Sequence, residues 1–417
     1  MKLARASLLN LLGLGLPMVA ALVWIPGLLA ALGPSRFGVL ALIWTVANYF
    51  GLFDLGLSRV LTQRLARAAE DGRHTEAGQQ AATTLTALVL LGLASGLVLA
   101  LCAPALAGWM ADAAVQDEAT LALRWLALGA PLLLVTAGLR AVLEAAQAFT
   151  ALNLIRAPIG VWMFAGPALA VLLWGPSLAG ITAVIVLGRG LGCAALALAA
   201  WRAAPAWRRS LQPRVVALRA MLADAGWLSV GSVVSPLTAS ADRFLIAALL
   251  SSAAVSDYVV PQELVTKLSI LPAAIASALM PSFARAPAQA NLRPGLWAAL
   301  LALVPTCALL AAAAEPILST WLGRAYAPAS VAVLQVMCLG TLLNGLAYVP
   351  LTWLHASGEF RTPTLVQLGV LLGFVPVVWA LTASGGILGA AWAWTLRLAA
   401  DALLLGLLCQ RRRRATA

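Results

Sequence analysis

The chain has 417 residues, of which 62% are hydrophobic and only 10% charged, with a formal net charge of +12. A soluble domain is about 25% charged, whereas here apolar stretches of about 20 residues recur from end to end, which excludes an ordinary soluble protein and specifies an all-α polytopic membrane protein. Alternating strands of about ten residues are absent, which excludes an outer-membrane barrel.

The basic balance does not require nucleic acid as a partner. The arginines fall in the segments between apolar runs, on one side of the membrane, as the positive-inside rule expects. The five cysteines (Cys102, Cys193, Cys307, Cys338, Cys409) are scattered in apolar context with no C-x-x-C pattern, so they read as small core residues. His74 and His355 are far apart in loops, so neither a metal nor any other cofactor is expected. The N-terminal apolar run is too long for a signal-peptide core and is followed at once by another, so it reads as an uncleaved first helix.

Twelve spans follow, at about 7–32, 37–57, 80–102, 121–143, 152–174, 178–201, 226–250, 258–281, 295–314, 329–350, 363–382 and 386–409. With that number, the basic segments share one side: Lys2 and Arg5; Arg59, Arg64, Arg67 and Arg73; Arg140 and Arg156; Arg202, Arg208, Arg209, Arg214 and Arg219; Arg285 and Arg293; Arg361; and Arg411 to Arg414. The other side carries Arg36, Arg124 and Arg324 with Asp112, Asp117, Glu118 and Asp257. Both termini are then expected in the cytoplasm. The basic stretch WRAAPAWRRSLQPRVVALRA divides the chain into two halves, a lobe over 1–201, a linker over 202–225 and a lobe over 226–417. Each half opens with a long span, a short outer loop and a span ending in a basic inner loop, a pattern that suggests parallel repeats enclosing a central cavity. The outer loops are short and no G-x-x-x-x-G-K-[ST] occurs, so neither an extramembrane catalytic domain nor an ATPase is expected.

Charges inside apolar spans cost about 2.5–3.5 kcal/mol on insertion scales and are functional candidates by default. Asp242, Arg243, Glu263 and Lys267 cluster in the seventh and eighth spans. A rise of 1.5 Å per residue puts Asp242 about 24 Å above the inner end of its span, and Glu263 and Lys267 about 8 and 14 Å below the outer end of theirs. These charges share the outer half of the bilayer. Glu263 and Lys267 lie one helical turn apart on one face. They form either a polar cavity wall or an internal salt-bridge cluster locking two spans. Arg189 has no acid nearby in sequence: it either pairs with Asp242 or Asp401 or offers a guanidinium fork to phosphate or carboxylate. Arg397 and Asp401 are again one turn apart, a pair within the helix or one that a proton or substrate opens. Asp54 sits near the inner end of the second span. Arg59 and Arg64 beyond it are a candidate cytoplasmic entrance for an anionic headgroup, and Arg140 with Glu144 reads as an interface pair.

Aromatic residues near span ends, Trp109, Trp201, Trp207, Tyr258, Trp297, Trp321 and Tyr326, read as interface anchors. Trp44 and Trp162, in mid-span, read as core or lipid contacts in preference to sugar-stacking platforms. Pro272 and other prolines inside spans are expected to kink their helices.

The segment LGPSRFGVLALIWTVANYFGLFDLGLSRVLTQRLARA resembles the start of polysaccharide-type flippases of the multidrug/oligosaccharidyl-lipid/polysaccharide exporter superfamily, on Phe37, Gly38, Asp54, Gly56, Leu57 and Arg59. ADRFLIAALLSSAAVSDYVVPQELVTKLSILPAAIASALMPSFAR resembles spans seven and eight of that family, and HASGEFRTPT with GGILGAAWAWTLRLAADALLL resembles its last inner loop and last span. The resemblance implies two six-helix lobes around a cationic cavity and a bacterial inner membrane. It implies alternating access that moves a polyprenyl-pyrophosphate-linked oligosaccharide between leaflets for surface polysaccharide biosynthesis. A polysaccharide polymerase and glycosyltransferases are then candidate partners. Carried onto this chain, Arg189, Arg243, Lys267 and Arg397 are the substrate-binding cations. Asp242, Glu263, Asp401 and Asp54 depart from a purely cationic cavity and are candidates for ion coupling. The alternative is a proton- or sodium-coupled multidrug or cation antiporter on the same fold. A membrane glycosyltransferase would need catalytic acids on sizeable outer loops, and a non-transporting scaffold would not need the buried charges.

Overall fold

The computed structural model describes residues 2–204, 212–213, 240–285, 291–323, 327–359 and 361–416. The expected linker lies almost wholly outside them, as do its Arg208, Arg209, Arg214 and Arg219, the first part of the seventh span, Trp207, Arg324 and Tyr326. The described residues are helical throughout, with short turns and no strand. The chain divides into two compact units, Met1–Pro236 and Leu237–Ala417.

In the first unit, α1 (Lys2–Tyr49) is broken at Gly33, whose φ of 71° and ψ of 167° no helix contains. Its 48 residues would reach about 72 Å if straight, more than twice the roughly 30 Å hydrocarbon core. A glycine takes this positive φ without steric cost, and Pro34 starts the next segment. The second expected span stops earlier than residue 57: α1 ends at Tyr49, and a 3-10 turn, Phe50–Asp54, leads to Gly56 at φ 72°. There α2 (Leu57–Glu70) begins. The inner segment read as a loop is therefore a helix, with Leu57, Val60, Leu61, Leu65 and Ala68 buried at helical spacing. α3 (His74–Met110), α4 (Gln116–Ala145), α5 (Phe149–Trp174) and α6 (Leu178–Ala203) complete the unit. α4 packs on α3 and α6, and α5 packs on α1 and α6. Small residues let these backbones approach: a Cβ on Gly92 would collide with the Pro131 backbone and one on Gly96 with the Ala127 carbonyl.

In the second unit, α7 is described over residues 240–249. α8 (Ser252–Lys267) starts at Ser251, whose hydroxyl accepts from the Ala254 amide at 3.1 Å. α9 (Ile270–Arg285) follows after a two-residue break. The break falls where Pro272 has no N–H to give the Leu268 carbonyl, which accepts from Leu271 instead. α10 (Arg293–Ala312) and the short α11 (Ala314–Leu322) precede α12 (Ala329–Ala356), which packs on α8, α9, α10 and α13 (Arg361–Thr416). α13 breaks at Gly386, with φ 59° and ψ −145°. Among the described residues, nine helical stretches are long and apolar enough to cross a bilayer. Those holding the Gly33 and Gly386 breaks are each long enough for two passes, close to the twelve spans expected.

Candidate functional site

α7 and α8 hold the polar network of the second unit. Asp242 is completely buried. Its Oδ2 accepts from the Tyr258 hydroxyl at 2.5 Å and from Gln262 Nε2 at 3.1 Å, and its Oδ1 accepts from the Arg243 amide at 2.9 Å. Tyr258 and Gln262 are one turn apart on α8, which lets both reach one carboxylate. The other end of the Gln262 amide accepts from Arg243 Nε at 2.8 Å. Arg243 also pairs with Glu263 at 3.3 Å, and Glu263 with Lys267 at 2.8 Å. Tyr258, Asp242, Gln262, Arg243, Glu263 and Lys267 thus form one continuous chain of polar contacts. The predicted Glu263–Lys267 turn exists within a larger structure.

The expectation for Tyr258 needs correcting. It is not an interface anchor but fully buried, because a carboxylate out of water requires donors and the Tyr258 hydroxyl supplies one. Of the mid-span tryptophans, Trp44 is buried and Trp162 half-buried. Trp44 lies 6.2 Å from Phe37 and 5.3 Å from Phe164 between ring centroids, and Trp162 Nε1 donates to the Val184 carbonyl at 3.0 Å.

On α13, Arg397 Nη1 and Asp401 Oδ2 are 3.7 Å apart, and the guanidinium lies 5.4 Å from the centre of the Phe374 ring. The pair is loose. Arg397 Nε and Asp401 Oδ1 are buried without a hydrogen-bond partner. Arg397 is also within electrostatic range of Asp242 and Tyr258.

These elements enclose a cavity of about 240 Å³ lined by Ser240, Arg243, Gln262, Thr266, Ser269, Thr341, Asn344, Trp394, Arg397 and Leu398. Among the described residues lining it, the charged ones are Arg243 and Arg397, with side chains only 13% and 9% exposed. Glu263 and Asp401 pair with the two guanidiniums, and neither they nor Asp242 are among the described lining residues. The wall therefore offers guanidinium, amide and hydroxyl groups beside one indole, a set suited to an oxygen-rich anion. Gln262, Asn344, Thr341 and Trp394 were not singled out from the sequence. Thr341 and Asn344 stand three apart inside an apolar helix, a spacing that marks one polar face.

The remaining candidates are elsewhere. Arg189, on α6, has Met163 Sδ as its polar contact, at 3.4 Å. Asp54 accepts from the Ser58 amide at 3.1 Å and the Ser58 hydroxyl at 3.0 Å at the start of α2. Arg59 lines a second cavity with Asp54, Ser58, Thr62, Arg140 and Glu144; Arg64, one and a half turns on, is not among its described lining residues. No group of three His, Cys, Asp or Glu able to hold a metal occurs among the described residues.

The chain matches the family model "Polysaccharide biosynthesis protein" over residues 3–287. It is 25% identical over 415 residues to a Shigella flexneri protein described as "Putative O-antigen transporter", covering 97% of each chain. Its fold resembles an inward-facing multidrug resistance MATE transporter of the MOP superfamily, with a TM-score of 0.77 and 14% identity over 97% of this chain and 98% of that one. It also resembles the lipid II flippase MurJ in an inward closed conformation, with a TM-score of 0.76 and 14% identity over 98% and 87%.

Proposed function

We propose, on the premise that this chain belongs to the polysaccharide biosynthesis protein family, that it is a flippase for a lipid-linked oligosaccharide. The cargo is a polyprenyl-pyrophosphate-linked oligosaccharide, moved from the cytoplasmic to the periplasmic leaflet of a bacterial inner membrane by alternating access. Both termini are cytoplasmic, and a polymerase and glycosyltransferases work beside it. A relative described as an O-antigen transporter that aligns over 97% of both chains supports the substrate class.

The observation that carries the reading is the cavity wall, in which two poorly exposed guanidiniums face the space and their carboxylate partners do not line it. Arg243 and Arg397 hold diphosphate oxygens through charge-assisted hydrogen bonds. Asn344, Thr341 and Thr266 bond sugar hydroxyls beside the Trp394 ring, while the lipid tail stays in the bilayer. Asp242 and Glu263 keep Arg243 oriented without discharging it into the cavity. Lys267 is a peripheral cation, and Arg189 a cation of the first unit. In this reading the protein carries out no chemical conversion.

A second reading, ion-coupled drug or cation antiport, is favoured by the unpartnered Asp401 Oδ1, a place for a coupling proton or sodium ion. It is opposed by Asp242, whose carboxylate is already engaged by three donors.

Deletion in the native bacterium decides between them. The flippase reading predicts loss of surface polysaccharide and accumulation of lipid-linked precursor, rescued by the wild-type chain and not by Arg243→Ala or Arg397→Ala present in the membrane at normal level. Intact glycan with raised sensitivity to cationic drugs would replace this reading with the antiporter.

A further inference from the structure

The first unit holds a group of arginines that the proposed transport cavity does not use. Where the 3-10 turn passes into α2, a cavity of about 340 Å³ is lined by Asp54, Ser58, Arg59 and Thr62 on one side and by Ala137, Arg140, Ala141 and Glu144 of α4 on the other. That volume lies within the range of small-ligand sites, about 300–1,000 Å³. Arg156, near the start of α5, is within electrostatic range of Arg140 and Glu144.

The charges here are poorly matched. Asp54 is spent on α2, with its carboxylate oxygens taking the Ser58 amide and hydroxyl. Glu144 meets Arg140 only at 3.9 Å, and Arg140 Nε is buried with no hydrogen-bond partner. Among the described residues, Arg59 and Arg156 make no hydrogen bond or ion pair. Two guanidiniums therefore line one cavity, with Arg156 in electrostatic range of Arg140, where one carboxylate is hydrogen-bonded to Ser58 and within range of Arg59 and the other is loosely held. Like charges brought together repel, and such an arrangement is relieved by an anion that accepts from several of them at once. A carboxylate offers two oxygens to this task; a phosphate offers three and more charge.

We infer that the cavity between α2 and α4 is a second anion site, taking a phosphate or diphosphate group through Arg59 and Arg140, with Arg156 adding field and no direct contact required. The group comes from a free diphosphate or from the headgroup of an anionic phospholipid. The site does not depend on the flippase reading, because it shares no residue with the Arg243–Arg397 cavity.

The test uses the full-length protein in nanodiscs. Inorganic pyrophosphate is titrated calorimetrically in phosphatidylcholine discs, with Arg243→Gln/Arg397→Gln as the background that removes the other cavity. Thermal stability is compared between phosphatidylcholine and phosphatidylglycerol discs. In that background, Arg59→Gln/Arg140→Gln is expected to weaken pyrophosphate binding by about tenfold or more, since each lost contact is a charge-assisted hydrogen bond. The exposed single substitution Arg59→Gln guards against a folding defect and gives the same direction. Arg67→Gln removes an equal charge from α2 outside the cavity and leaves binding unchanged. If pyrophosphate binds neither form but phosphatidylglycerol stabilises the protein, and Arg59→Gln abolishes that stabilisation, the ligand is a lipid headgroup and the site stands. Equal loss with Arg67→Gln, or no response to either probe, overturns it. Failure of glycan rescue by Arg243→Ala bears on the flippase reading alone and leaves this titration as it is.

Discussion

The polar network of α7 and α8 and the arginine cavity of α2 and α4 are built from the same residue types, and they end in opposite electrostatic states. In the first, two acids, two bases, a phenol and an amide are joined so that each charge meets a partner, and Asp242 meets three donors. In the second, one acid is consumed by its own helix start and a buried Arg140 nitrogen has nothing to bond. A charge buried in a membrane protein is costly in both places. A satisfied network spends that charge on holding helices in place, whereas an unsatisfied one keeps it available for a ligand. Arg243 does both, since it is oriented by Gln262 and Glu263 and still lines a cavity.

The comparison breaks most sharply at Asp242. Asp242→Ala strands three buried donors, the Tyr258 hydroxyl, a Gln262 N–H and the Arg243 amide, and is expected to cost about 3–5 kcal/mol of stability, read by thermal unfolding in detergent. Asp242→Asn keeps the shape and restores part of the loss. A fully stable Asp242→Ala protein would show that the network holds nothing together. Tyr258→Phe removes a single hydrogen bond to a charged group and is expected to cost about 1.5–3 kcal/mol, whereas an interface-anchoring tyrosine would lose almost nothing in detergent.

Arg189→Leu should move stability the other way. A guanidinium whose polar partner is a thioether is poorly compensated, so leucine is expected to stabilise the first unit by about 1 kcal/mol while glycan export falls. A destabilised Arg189→Leu protein would mean that the charge is structural. The smallest effect is expected at Lys267. Its ion pair with Glu263 is 36% exposed on the lysine side, and Lys267→Gln should cost about 0.5 kcal/mol or less because Glu263 keeps Arg243. Full glycan export by this variant removes Lys267 from the cargo-binding cations; lost export with normal folding makes Lys267 a cargo contact.

Much of the site was legible where spacing within one helix decides the contact. Glu263 with Lys267, Arg397 with Asp401 and Arg140 with Glu144 follow from the four-residue turn alone, and all three pairs form. The break before Pro272 was legible for the same local reason. What the spacing could not show is which partner lies on another helix. Gln262 reads as an ordinary polar residue until Asp242 and Arg243 arrive from α7, and Tyr258 reads as an interface residue until Asp242 occupies its hydroxyl. Nor does the sequence show that α2 is a packed amphipathic helix bringing Arg59 to Arg140, because a basic segment after a span is a sufficient description of a loop.

The sequence by itself determined the membrane class, the all-helical architecture, the approximate number of passes and the pairs within helices. Each of these rests on apolar run length, charge placement or the 3.6-residue period, which are local properties of a chain. The tertiary structure decided which charges are neutralised and which are left facing a cavity. Neutralisation depends on a few ångströms between residues as far apart as Asp242 and Gln262, or Arg59 and Arg140, and no period along the chain encodes that distance. It is set by how small residues such as Gly92 and Gly96 let helices approach and by where Gly33, Pro272 and Gly386 let them turn.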